Sequence, residues 1–80
     1  MNVDLLLLKY ADVKKREDKC YAVAKSYSID KGDIVLLKEG GRPLEVLDVA
    51  RVVSEDVISL MRVKNRIGEV ASAYASKEYK

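Results

Sequence analysis

Residues 32–53 read GDIVLLKEGGRPLEVLDVARVV. Two β-rich apolar runs flank Gly40-Gly41-Arg42-Pro43, the pattern of a hairpin. The second arm changes phase along its length. Leu44 and Val46 share one parity, Leu47 and Val49 share the other, and Val52 and Val53 are adjacent. A one-residue offset moves every following side chain to the opposite face, so this change predicts a bulge or a sharp bend. A bent strand can serve both sheets of a small barrel. Pro43 falls at or just before the start of that arm, where a missing N–H does least harm.

The runs outside the hairpin extend the β reading. Val3 to Tyr10 contains four consecutive leucines, Leu5 to Leu8, and is therefore apolar on both faces. A half-solvated strand would alternate instead. One face must look into a core and the other needs a cover, either a helix or a second subunit. Asp12 to Lys19 is a charged loop. Cys20 to Tyr27 reads as a strand with Tyr21 and Val23 on one face and Cys20, Ala22 and Ala24 on the other. Ser28 to Asp33 is a turn in which Gly32 supplies a positive φ. Ile34 to Lys38 is again apolar on both faces.

Ser54-Glu55-Asp56 breaks the β pattern. Ser54 is a candidate N-cap, and two acids suit the first turn of a helix. Val57, Leu60 and Met61 follow at helical spacing, which predicts a short helix over about 55–64 with Asn65 as its stop. A strand through Ile58, Leu60 and Arg62 is the competing reading. Ile67 to Ala71 reads as a last short strand. Residues 72–80 are polar with small residues and read as a closing helical turn or a tail.

Eighty residues make one domain, 1–80, with a single core. Apolar residues are 49% of the chain, enough for a globular fold. Without Phe, Trp or His, that core is built from Val, Leu, Ile and Ala with some of the five tyrosines. Lys plus Arg number 15 against 13 Asp plus Glu, a net charge of +2. This balance permits nucleic-acid contact without indicating it. The lone Cys20 makes no intramolecular disulfide and, with no His, assembles no zinc site. It reads as a small buried hydrophobe. No run approaches the ~18 apolar residues of a membrane span. The start, Met1 to Leu5, lacks the basic region and cleavage site of a signal peptide, so a cytoplasmic location is expected.

Absent chemistry narrows function. Without His there is no Ser-His or Cys-His nucleophile. No phosphate-binding glycine motif is present. The carboxylates Asp30, Asp33, Asp48, Glu55 and Asp56 have no spacing that pairs them as acid and base. No enzyme activity, cofactor or metal is expected. Basic residues cluster twice, at Lys14, Lys15 and Arg16, and at Arg62, Lys64 and Arg66. Both clusters are candidate contacts for a protein partner or for nucleic acid, which small barrels bind through basic grooves and stacking aromatics such as tyrosine.

Tyr21-Ala22-Val23, Gly32-Asp33-Ile34-Val35, Leu44-Glu45-Val46, Ile67-Gly68-Glu69-Val70 and Ala73-Tyr74 together resemble a family. It comprises small SH3-like β-barrel proteins encoded by phages and prophages of low-GC Gram-positive bacteria. The resemblance runs from Tyr21 onward. The chain departs from it between Val70 and Tyr74, which is one residue short. The likeness implies a barrel of about five strands and a phage-related context, and it transfers no catalytic residue.

The sequence therefore leads to a mainly β fold: about five strands in a small SH3-like barrel, with one short helix before the last strand. The helix is expected to cover an apolar face through Val57, Leu60 and Met61. The two-faced apolar runs Leu5–Leu8 and Ile34–Leu37 point to a homo-oligomer. The leading functional expectation is a non-enzymatic interaction module, a phage accessory protein that binds a host or phage protein or sequesters a small ligand. The alternative is a nucleic-acid-binding barrel. No membrane partner is expected.

Overall fold

A computed structural model describes residues 2–12, 19–25 and 28–75. Its elements are β1 (Asn2–Tyr10), β2 (Lys19–Ala24), β3 (Ile34–Leu36), β4 (Leu44–Ser54), α1 (Glu55–Met61), β5 (Ile67–Glu69) and β6 (Ser72–Tyr74). The strands form a six-stranded sheet ordered β5-β2-β1-β4-β3-β6, curled into a half-barrel. The fold is mainly β with one short helix.

Strand β4 curves the sheet. Its register against β1 slips twice. Leu7 pairs with Asp48 and Leu8 with Val46, so Leu47 is an extra residue. Val3 pairs with Val53 and Leu5 with Ala50, so Arg51 and Val52 together face Asp4. These are β-bulges, and each bends the strand and increases its twist. The phase change in the sequence is thus a physical feature of the strand. At the second bulge Val52 has φ 57. This left-handed conformation is one that β-branched residues rarely adopt and that glycine usually supplies. Asp4 holds it: Oδ1 accepts the Val52 N–H at 3.1 Å and Oδ2 accepts from Arg51 at 3.0 Å. Arg51 also donates to Asp30 at 2.6 Å.

The two edge strands are consecutive in the chain. Only Val70 and Ala71 separate β5, parallel to β2, from β6, antiparallel to β3. The Val70 N–H donates to the Val23 carbonyl at 3.0 Å, and the next N–H, of Ala71, donates to Leu36 at 2.8 Å. One short segment therefore bridges the edges of the curled sheet and satisfies backbone groups that free edges would leave open. The sequence reading placed one strand over 67–71. Two strands replace it because the chain changes partner at Val70. Gly68 lets this segment approach closely, since a Cβ there would lie 3.2 Å from Leu37 Cδ1.

The curl encloses a core of Leu6, Leu8, Ala22, Ala24, Ile29, Val35, Leu44 and Val46. On the opposite face of β1 and β2, a second cluster joins Val3 and Val23 to Ile58 of α1, with Leu5, Val53 and Ile67 packed against it. The two-faced apolar character of β1 is thereby explained within one chain: Leu6 and Leu8 face the core, while Val3 and Leu5 meet the helix. Ile34, Val35 and Leu36 are likewise all buried.

Several boundaries differ from the sequence reading. The hairpin turn sits earlier than Gly40–Pro43. Gly41 N–H donates to Lys38 O at 3.0 Å, which centres the turn on Glu39 and Gly40. Gly40 has φ 73 at the third turn position, where a type II turn needs a positive φ. Strand β3 accordingly ends at Leu36, and residues 37–43 form a wide connection. The turn at Ser28–Asp33 is as read, with Gly32 at φ 95 and Asp33 N–H bonded to Asp30 O. Strand β2 ends at Ala24; Ser26 and Tyr27, the last residues read into it, lie outside the described residues.

The helix is shorter than 55–64 and uses another face. Ser54 caps it, accepting the Asp56 N–H at 3.2 Å. After Met61 the chain tightens: Val63 and Lys64 donate three residues back, to Leu60 and Met61. Asn65 ends the turn with its N–H and Nδ2 both on Met61 O, at 2.9 and 3.2 Å. The covering residue is Ile58, not Val57 or Leu60. The strand β4 runs straight into the cap, so Val53 and Ser54 fix the helical phase. That phase turns Ile58 to the sheet and Leu60 away from it.

Candidate functional site

The helical phase decides what α1 and the turn 62–66 present to solvent. With about 3.6 residues per turn, Leu60 lies on the side of α1 away from Ile58 together with the exposed Asp56, Val57 lies beside them, and Val63 continues from Leu60 in the tighter turn after Met61. Val57, Leu60 and Val63 are 45%, 73% and 80% exposed. Val52, at the strained bulge before the helix, is 68% exposed. A single exposed aliphatic residue means nothing, but three neighbouring ones, two on the helix and one in the turn after it, are an unburied face.

Cations interleave this stripe. Arg62, Lys64 and Arg66 are all exposed. Elsewhere the basic residues are largely engaged. Lys9 pairs with Glu45, Arg42 with Asp12, and Arg51 with Asp4 and Asp30. Lys25 lies 3.9 Å from Glu55 and 3.4 Å from Glu69, which ties the start of α1 to β5. Among the described residues no carboxylate pairs with Arg62, Lys64 or Arg66. The other described basic residues without such a pair, Lys19, Lys31 and Lys38, are dispersed one to a segment. Among the described residues the turn 62–66 is thus where cations without an ion pair concentrate, although Arg62 also lines a hollow with Lys25, Glu55 and Glu69.

Of the six candidate contact residues read from the sequence, the structure brings Arg62, Lys64 and Arg66 together in this one turn. Lys14, Lys15 and Arg16 lie outside the described residues. Beside the turn is an open depression at one end of the curled sheet. Arg62 and Arg66 line it together with Tyr10, Tyr21, Leu37 and Gly68. It is broad and shallow, unlike the enclosed apolar clefts that hold small ligands.

A scan against protein-family models, a search of curated proteins and a search of solved structures return no match.

The remaining chemistry is sparse. Among the described residues no group of three or more His, Cys, Asp or Glu side chains could hold a metal ion. Cys20 is half-buried against the core, and burial pushes its thiol pKa up, away from the reactive thiolate. Asp12 is held below the usual carboxylate range, first by its 2.8 Å hydrogen bond from Arg42 and also by that residue's charge. Arg42 in turn lies 4.0 Å from the Tyr10 ring centroid, so this pair braces the end of β1 against the residue before Pro43. No helix among the described residues is long and apolar enough to cross a membrane.

Sequence reasoning missed the aliphatic half of the surface. The sequence pattern puts Val57 and Leu60 inside, gives Val52 a role only in the phase change, and gives Val63 none. Val63 did carry a signal, because an aliphatic residue inside RVKNR has basic or polar neighbours on every side.

Proposed function

We propose that this chain is a non-enzymatic interaction module, a phage accessory protein whose partner is a host or phage protein. The observation that carries this reading is the exposed aliphatic pair Val57 and Leu60 on a helix that already has a buried anchor at Ile58, continued by the exposed Val63 in the turn that follows. A helix needs one apolar face to pack on its own sheet. A second aliphatic face is retained against solvent only at a cost that a partner can offset. Aliphatic side chains interleaved with cations are also the composition of a protein interface core with a charged rim. The curled sheet with its doubly bulged β4 supports an SH3-like barrel as the scaffold, acting in the cytoplasm.

The test is affinity capture from the host with the full chain as bait. A discrete protein recovered in stoichiometric amount, and lost on Leu60→Glu, supports the reading. Equal recovery by wild type and Leu60→Glu removes the stripe from it. A bait changed at Lys14, Lys15 and Arg16 that recovers the same protein removes that loop.

A second reading, nucleic-acid binding, is favoured by the depression where Arg62 and Arg66 accompany Tyr10 and Tyr21. Phosphate contacts release counterions, so its log affinity would fall steeply with log salt. No retardation of single- or double-stranded probes at low salt removes this reading. Sequestration of a small ligand is a variant of the first reading, tested by native mass spectrometry of protein purified from its host. Self-association belongs to the proposal through the outer face of β1, where Leu5, Leu7, Tyr21 and Ala50 line a shallow depression. A monomer by light scattering at micromolar concentration removes it.

A further inference from the structure

We infer that the outward stripe of α1 and the turn 62–66 form a docking site for an acidic, amphipathic segment of a partner protein. This rests on the interaction-module reading and names its surface and its ligand chemistry. Leu60 and Val63 supply the apolar contact, being 73% and 80% exposed. Arg62, Lys64 and Arg66 flank them within a few residues and form no ion pair among the described residues, although Arg62 shares a hollow with Glu55 and Glu69. Exposed aliphatic groups call for aliphatic groups, and uncompensated cations call for anions. A segment carrying both, with apolar positions along one side and Asp or Glu beside them, complements the surface on each count.

Two other occupants fit less well. A second copy docked about a two-fold axis would lay this patch against itself, with the three cations of each copy opposed only by Glu55 and Asp56 at the start of α1. A nucleic acid would satisfy the cations but leave Leu60 and Val63 against phosphate and sugar, with no aromatic side chain in the stripe for bases to stack on.

The experiment is amide NMR titration of the full chain with two synthetic peptides that share one leucine pattern at helical spacing. One carries Glu at the flanking positions and the other Lys. Saturable shifts confined to residues 57–66 are expected with the Leu/Glu peptide, with affinity at least about tenfold above that of the Leu/Lys peptide. Leu60→Glu and the triple variant Arg62→Glu, Lys64→Glu, Arg66→Glu should each weaken binding by about tenfold or more. Both change only exposed side chains, and unchanged shifts elsewhere verify the fold. No shifts at 57–66 at millimolar peptide, or equal binding of both peptides, overturns the inference. Shifts at these residues on raising protein concentration alone overturn it in favour of a second copy. An oligonucleotide that displaces the Leu/Glu peptide at lower concentration overturns it in favour of nucleic acid. A host protein captured independently of residue 60 would leave the interaction-module reading standing while this docking site fails.

Discussion

Replacing Val52 by residues suited to its backbone should raise stability, although it removes apolar atoms. Val52 sits at φ 57 in the bulge opposite Asp4. A left-handed conformation costs an ordinary L-residue about 1–2 kcal/mol. The side chain recovers little of this, because it is 68% exposed. Burying about a third of a valine contributes roughly 0.5 kcal/mol. Val52→Asn places a residue several-fold enriched in this region and should stabilise by about 0.5–1 kcal/mol. Val52→Gly removes the strain but adds about 0.5–1 kcal/mol of unfolded-state entropy, so it should be close to neutral. Ala50→Gly is the control, an exposed position in ordinary extended strand. It carries the entropy term with no strain to relieve and should cost about 0.5–1 kcal/mol. For a domain of this size 1 kcal/mol corresponds to about 4–8 °C in Tm. Thermal unfolding followed by circular dichroism reads all three variants. If Val52→Gly lowers Tm as much as Ala50→Gly, and Val52→Asn gives no increase, the strained bulge is not a feature of the folded protein.

Ile58→Ala should destabilise by about 2–4 kcal/mol, because this one side chain seats α1 on Val3 and Val23. Denaturant titration should show the loss, and a cost below about 1 kcal/mol would mean the helix is held otherwise. Gly68→Ala should cost less than about 1 kcal/mol by the same assay, since the Leu37 side-chain tip that its Cβ meets at 3.2 Å needs to yield only slightly, and a larger loss would mean that Leu37 is locked in place. The Asp12 carboxyl should titrate below an ordinary Asp by NMR and return to the ordinary range in Arg42→Ala. A depressed folded pKa means that the pair's contribution is present above the unfolded pKa of about 3.9 and is lost as pH falls through the folded one. An unshifted Asp12 in wild type would refute the pairing.

Parts of this fold were legible in the chain for a physical reason. Strand parity is rigid, so Leu44–Val46 and Leu47–Val49 could not lie on matching faces without an inserted residue, and the bulge at Leu47 follows. The run Leu5–Leu8 called for cover on both sides: the core takes Leu6 and Leu8 and the helix cluster takes Leu5, while Leu7 stays half-buried on an open face. Ser54 with two following acids marked the helix start to the residue. The helix face was not legible, because Val57, Ile58, Leu60 and Met61 are all apolar and their spacing admits more than one inward side. Tertiary phase, set where β4 meets the cap, made the choice. The split of β5 from β6 was hidden for a related reason. Nothing local in Ile67–Tyr74 records that its two ends have different partners. The left-handed valine at 52 also went unread, since glycine would mark such a bulge and valine does not. At the candidate surface the cations Arg62, Lys64 and Arg66 could be read directly. The exposure of Leu60 depended on the helical phase and could not.

Site-specific photo-crosslinking in the host tests the central claim most directly, with the photoreactive residue placed at position 60, at 63, or at the exposed Lys31 as a control. The account predicts one discrete protein adduct of the same mass from positions 60 and 63 and none from 31. No adduct from 60 or 63, or the same adducts from all three positions, would contradict it.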